Sequence, residues 1–289
     1  MKLQMTNAQW PIPNPSIRPP IPPKIEHWSL TICYLLLTAL ALFGGVSTFG
    51  QGFKYGEFFA RAVSSAPAFP APVQRVKCND GSGGTMADSS GNNYAMTLHG
   101  TYSWETINSV NCIYIAGGGE NYAATTSTIS QMGGVQNASI SVWIYTADGY
   151  AAAGFTVEYY GSPGDCFYIL PYGTSDVYVE VANGSGNYPY GAAPSTSAWH
   201  HHVLTFDGTQ ATAANRVKYY VDGSAVGLSQ SGAGNPSSLP SASALGYSVL
   251  GQDNNRDEGG AYADYQLFTN TLTPSQVSAL YSAGIDGTP

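Results

Sequence analysis

The residues of this chain that could do chemistry are scattered glutamates, a run of three histidines, two oxygen-rich loops and several loop tyrosines. Cleavage of a glycosidic bond needs two carboxyl groups flanking the scissile linkage. Glu105, Glu120, Glu158 and Glu180 are isolated from one another in sequence, so they read as solvent-face residues rather than as an acid and its partner base. His200, His201 and His202 invite a zinc reading, since alternate strand residues project to one side and His200 and His202 would share it. No other His or Cys lies nearby in sequence to complete a tetrahedron. Hard oxygen donors concentrate at Asp80 to Asn93 and Asp253 to Asp264. The second stretch imitates an EF-hand, with Asp253, Asn255 and Asp257 at alternate positions and Asp264 at the twelfth, but Glu258 stands where the sharp turn needs glycine, and the motif is rejected. Tyr172, Tyr188 and Tyr190 fall in glycine- and proline-rich loops, where an aromatic ring could meet a glycan or a protein neighbour. The chain has no nucleophile-elbow motif.

The scaffold that must hold these groups is β-rich. Hydrophobic residues make up 43% of the 289 and charged residues only 10%, with 34 Gly and 21 Tyr, a composition suited to an extracellular or assembly protein rather than a helical cytosolic enzyme. Residues 1–75 carry a net charge of +4 and residues 76–289 a net charge of −12. The C-terminal part therefore repels nucleic acid. From about residue 76 short alternating segments are separated by Gly, Asn, Asp and Ser clusters, as in an antiparallel sandwich. Ile140, Val142 and Ile144 alternate with Ser141, Trp143 and Tyr145, and Val177, Val179 and Val181 with Tyr178 and Glu180. Val217, Tyr219 and Val221 predict another strand, closed by the turn dipeptide Asp222-Gly223. One helix is predicted at the end: Thr273-Pro274-Ser275-Gln276 is a capping box with proline at the first helical position, followed by Val277, Leu280 and Tyr281 and stopped near Gly284.

Ahead of this domain the chain reads as an anchor. Residues 1–26 form a proline-rich arm that can build neither a helix nor a central strand. Leu30 to Phe49 is an uncharged run of 20 residues, which as a helix matches the hydrocarbon thickness of a bilayer, about 30 Å. A cleaved signal peptide is the competing reading, but 26 residues precede the apolar core and the nearest small-residue site, Ala60-Arg61-Ala62, lies far beyond it. The expected organisation is an arm over 1–26, a transmembrane helix over 27–52, a stalk over 53–75 and a β domain over 76–289. Topology stays open, because Arg18 and Lys24 on one side are matched by Lys54 and Arg61 on the other. Of the four cysteines, Cys33 falls in the apolar run, and Cys78, Cys112 and Cys166 allow one disulfide and an odd thiol.

Five motifs in order give the C-terminal part a family likeness. They are Asp88-Ser89-Ser90-Gly91-Asn92; Ser141-Val142-Trp143-Ile144; Trp199-His200-His201 with Thr205-Phe206-Asp207-Gly208; Tyr219-Tyr220-Val221-Asp222-Gly223; and Gly260 to Phe268 leading into the short helix. With these the chain resembles the laminin-G-like or concanavalin A-like jelly-roll domains across most of 76–284. The resemblance implies an all-β antiparallel jelly-roll sandwich with a short C-terminal helix, and a packing role for the Trp-His-His segment. It implies calcium as the one candidate cofactor, held by Asp88, Asn92 and Asp264 at one end of the sandwich. It also implies that Cys78 and Cys112 pair if the domain is exported, since both replace apolar residues on early strands that adjoin in the family. Glucan-cleaving relatives carry a Glu-x-Asp-x-x-Glu strand motif, which is missing here.

The expected function is that of a non-enzymatic, membrane-anchored structural or surface protein, at a cell surface or in a virion. Its partners would be lipid through residues 30–49, neighbouring proteins of a surface or capsid assembly, and glycan. A carbohydrate-binding adhesin, a glycoside hydrolase and a pilin-like filament subunit are the alternatives.

Overall fold

The computed structural model describes residues 69–117, 121–147, 157–162, 165–172, 175–183, 188–230, 234–241, 247–251 and 259–288, without the side chains of 157–162, 165, 172 and 247. The chain divides into two units, Met1–Val63 and Ser64–Pro289, and every described residue belongs to the second. The expected arm, the apolar run 30–49 and the stalk as far as residue 68 lie outside the described residues. Among the described residues no helix is long and apolar enough to cross a membrane.

The described strands are, in chain order, β1 (Gln74–Val76), β2 (Thr85–Met86), β3 (Met96–His99), β4 (Tyr102–Ile107), β5 (Val110–Ile115), β6 (Tyr122–Thr125), β7 (Asn137–Tyr145), β8 (Val157–Ser162), β9 (Asp165–Tyr172), β10 (Asp176–Asn183), β11 (Tyr190–Ala192), β12 (Trp199–Asp207), β13 (Val217–Val221), β14 (Ser224–Val226), β15 (Tyr247–Leu250) and β16 (Gly260–Phe268), followed by helix α1 (Pro274–Ala283). They form two sheets. Sheet A runs β14-β13-β12-β7-β16-β5-β4, with β1 also on β16, and sheet B runs β11-β10-β9-β8-β15-β6-β3-β2. The alternation predicted for β7, β10 and β13 places Ile140, Val142, Ile144, Val177, Val179, Val181, Val217 and Tyr219 in one core between the sheets.

β16 pairs with β7 along its length, while its other edge meets β5 at Gly260–Tyr262 and β1 at Tyr265–Leu267. Between those halves the register with β7 shifts from Ala263 to Gln266, and Asp264 adopts φ 44°. This is a bulge, and it reverses the inward parity: Tyr262 faces the core before it, Tyr265 and Leu267 after it.

The sandwich begins earlier than its composition suggests. Gln74 is fully buried, Val73 joins the core, and Phe69 meets Phe268 edge to face at 5.9 Å. Residues 69–75, assigned to the stalk from Pro70 and Pro72, are part of the packing, because Gln74–Val76 add a short strand to the free edge of β16.

On its outer face sheet A presents Val203, Tyr220 and Phe268, and α1 covers them with Val277 and Leu280. The predicted capping box is formed: Thr273 accepts from Gln276 N, and Gln276 Oε1 accepts from Thr273 N at 2.8 Å. Thr273→Ala is expected to lower the unfolding free energy by about 1 kcal/mol, measured by denaturant titration; an unchanged midpoint would mean that packing alone holds the helix.

Candidate functional site

The sequence-predicted cation ligands are engaged by the protein itself. Asp88 Oδ1 accepts from the N–H of Arg75 and Ser90 at 3.0 and 2.8 Å, and Oδ2 from Tyr94 N–H and Ser90 Oγ–H, each at 2.8 Å. Burial pushes its carboxyl up, but these bonds together hold it below the ordinary value. Asn92 donates to Val73 O at 2.8 Å. Asp264 makes a two-pronged pair with Arg75, Oδ1 to Nε at 2.8 Å and Oδ2 to Nη2 at 3.1 Å. Asp88 and Asp264 thus converge on Arg75, one on its backbone and one on its guanidinium, in the roles of turn organiser and ion-pair partner. Asp253, Asn255 and Asp257 lie outside the described residues, and among the described residues no cluster of three metal-ligating His, Cys, Asp or Glu exists.

The other expectations also resolve locally. Cys78 and Cys112 are free thiols. Cys78 sits in the inter-sheet core and Cys112 in a cluster with Trp143, Ala261 and Ala263 on the other face of sheet A, so the expected pairing is not formed. Burial raises both thiols, Cys112 to about 11. The three histidines point to three environments: His200 Nδ1 meets Asp222 Oδ2 at 2.7 Å, His201 Nε2 meets Ser141 Oγ at 2.8 Å, and His202 Nδ1 meets Tyr219 Oη at 2.6 Å. They share no ligand position.

The outer face of sheet B holds what the sequence concealed. With Phe167, Ile169, Val177, Val179 and Val181 in the core, the intervening residues of β9 and β10 turn outward. Tyr168 stands opposite Glu180, Cys166 opposite Ala182 and Leu170 opposite Tyr178. Next to them Tyr178 stands opposite Tyr190 of β11, ring centroids 5.5 Å apart. Glu180 was read as a solvent-face residue, yet it is only 3% exposed. Burial raises its carboxyl above the usual range, against hydrogen bonds from Tyr168 and Cys166 that pull it down. Its charge in turn raises the phenol of Tyr188, which is 48% exposed at the rim. The loop carrying Tyr188 is fastened to the sheet, since Pro189 O accepts from Val179 N–H at 2.8 Å. β11 is held at the edge by reciprocal bonds between Tyr190 and Ser229, at 3.0 and 2.8 Å. Gly191 is required there, because a Cβ would lie 2.8 Å from Val226 Cγ1.

The structure thus brings Tyr188 and Tyr190 to one face with Glu180, Tyr168 and Tyr178. Tyr172 closes β9 opposite Asp176; its side chain is not described. Aromatic rings beside a carboxyl and phenolic hydroxyls can stack on the apolar face of a small polar ligand and hydrogen-bond its edge. No Lys or Arg occurs in β9, β10 or β11. Arg216 and Lys218 line a separate cleft of about 270 Å³ with Thr205, Asp207 and Tyr220.

Similarity to known proteins bears on this architecture. A laminin-G family model described as the concanavalin A-like lectin/glucanases superfamily matches residues 117–278. No curated protein matches the chain in sequence. Among solved structures, the receptor-binding domain of the botulinum neurotoxin C/D mosaic serotype is similar at 14% identity and TM-score 0.56, over 74% of this chain and 51% of that one. The serotype D ligand-binding domain in complex with N-acetylneuraminic acid is similar at 14% identity and TM-score 0.56, over 74% and 51%. A structure of botulinum neurotoxin type C, whose cell entry depends on two ganglioside molecules, is similar at 12% identity and TM-score 0.54, over 74% and 51%. The chain spans about half the length of these structures, and the likeness is one of fold.

Proposed function

Because this chain belongs to the concanavalin A-like lectin/glucanases superfamily, we propose that its sandwich is a surface contact module that binds a neutral glycan on the outer face of sheet B. The observation that carries this reading is the tyrosine-lined face around a nearly buried carboxyl, Tyr188, Tyr190, Tyr178 and Tyr168 about Glu180. Neurotoxin domains of similar fold bind N-acetylneuraminic acid and depend on gangliosides, which makes carbohydrate a reasonable ligand class for such a sandwich. The charge of this face argues for a different sugar. Glu180 and the absence of Lys and Arg from β9–β11 disfavour a sialic acid carboxylate, whereas neutral hydroxyls can both donate to and accept from the phenols. In this reading residues 30–49 attach the module to a membrane of a cell or virion, a role that rests on their hydropathy, and glycosidic bonds are bound without being cleaved.

The full-length protein, applied to a glycan array and followed by calorimetry, is expected to favour neutral over sialylated saccharides, with and without chelator. Tyr188→Ala is expected to weaken binding about fivefold to tenfold, the worth of one aromatic contact. Preference for sialylated glycans, indifference to Tyr188→Ala, or release of reducing ends from the bound glycan would each defeat the proposal.

A further inference from the structure

A second constellation, formed by the β11–β12 loop, the start of β12 and the β13–β14 turn, owes nothing to the tyrosine face. His200 Nδ1 is 2.7 Å from Asp222 Oδ2, and His200 Nε2 is 3.0 Å from Ser195 Oγ. The carboxylate can only accept, so Nδ1 carries the proton, and the tautomer with its other nitrogen bare would turn the Nε2 lone pair toward the Ser195 hydroxyl. Each member is fixed by an anchor of its own. Asp222 Oδ1 accepts from His201 N–H at 2.9 Å, and Asp222 takes φ 49° at the β13–β14 turn. The loop bearing Ser195 is tied at one end by Ala193 N–H to Ser175 O at 2.9 Å. At its other end Ser197 sits at φ 59°, a costly conformation for serine, held by bonds from its N–H to Thr146 O at 2.7 Å and from its hydroxyl to Ala147 O at 2.6 Å. Ser195 is exposed, while the His200 side chain is 13% and that of Asp222 32% exposed. The hydroxyl is therefore the open end of the array, the imidazole is its most sheltered member, and the carboxylate lies partly exposed behind it on Nδ1, the connectivity that acyl transfer uses.

The geometry points to Ser195, His200 and Asp222 as a serine-hydrolase triad acting on carboxylic esters. Ser195 Oγ would form a bond to the ester carbonyl carbon as its proton passes to His200 Nε2, and the carbonyl electron pair moves onto oxygen. Collapse breaks the carbon–oxygen bond to the leaving alkoxide, which takes the proton from Nε2 and departs as the alcohol. Solvent water then attacks the acyl-Ser195 ester, again giving a proton to Nε2, and the carboxylic acid leaves as Oγ recovers that proton. Asp222 takes no proton; it holds Nδ1–H and balances the imidazolium.

This activity is independent of the glycan reading, because none of the tyrosines around Glu180 takes part. The test uses the full-length protein with p-nitrophenyl acetate, a fluorophosphonate probe and peptide mapping of the adduct. A phosphonyl adduct on Ser195 is expected, together with a fall of about a hundredfold in ester turnover for Ser195→Ala and for His200→Gln, both variants keeping the wild-type circular dichroism. Absence of the adduct, labelling of another residue instead, or equal turnover by the Ser195→Ala variant would overturn the assignment.

Discussion

Replacing Arg75 by alanine is expected to cost about 3 kcal/mol of unfolding free energy at pH 7, because it strands a buried carboxylate. Asp264 is 2% exposed, and the guanidinium that faces it also donates to Gly287 O at 2.7 Å. One side chain thus ties β1, the bulge of β16 and the C-terminal segment together. Burial already raises the Asp264 carboxyl above its ordinary value in spite of Arg75, so without Arg75 the acid should take up a proton well before the fold is lost. The penalty should therefore shrink toward pH 5. Arg75→Lys keeps the charge but not the two-pronged geometry and should cost roughly half as much. A loss below about 1 kcal/mol for Arg75→Ala in denaturant titrations at pH 7 would show that the ion pair is incidental to the bulge.

Acidification is the second large lever. Burial lowers His201 to about 4 and His202 to about 3; for His202 the neighbouring His200 and His201 add to the effect, while Asp222 works against it at His201. In the unfolded chain both titrate near 6.5. The unfolded state therefore binds more protons than the fold below that value, and stability is fully present above pH 6.5 and lost as pH falls toward 3. Between pH 7 and pH 5 the pair should remove about 4 kcal/mol. Glu180 and Asp264 act in the opposite sense. Their raised carboxyls take protons in the fold before they do in the unfolded chain, so they return some stability at the acid end. The check is the unfolding free energy of the full-length protein at pH 7, 6 and 5, with His202→Phe expected to halve the slope. A flat profile over that range would mean that the two rings are hydrated in the fold.

Much of the architecture was legible because β periodicity is a local property. Val177, Val179 and Val181 had to face one way wherever β10 lay, and Thr273-Pro274-Ser275-Gln276 had to start a helix. The motifs from Asp88-Ser89-Ser90-Gly91-Asn92 to Gly260–Phe268 carried the family. Three expectations, one read from local composition and two implied by the family likeness, met partners that only the fold supplies. Pro70 and Pro72 look like linker, yet the strand that follows them completes the edge of β16. Asp264, expected as a calcium ligand, occupies a bulge where the Arg75 guanidinium and the Gln266 side-chain amide donate to its carboxylate. Cys78 and Cys112 look like partners, yet they belong to clusters on opposite faces of one sheet.

The sequence by itself therefore determined the β-sandwich class, the terminal helix, the acidic C-terminal part and the apolar run at 30–49, since each follows from composition or from a spacing of a few residues. Only the tertiary structure decided which groups meet. Glu180 lies 12 residues from Tyr168, and Ser195 lies 27 residues from Asp222; no periodicity links either pair. Strand register sets Glu180 opposite Tyr168, and the meeting of the β11–β12 loop with the β13–β14 turn sets Ser195 and Asp222 on the two nitrogens of His200. The physical reason is that a strand's pattern fixes which side each residue faces, whereas its neighbours across the sheet are fixed by pairing energies summed over the whole sandwich.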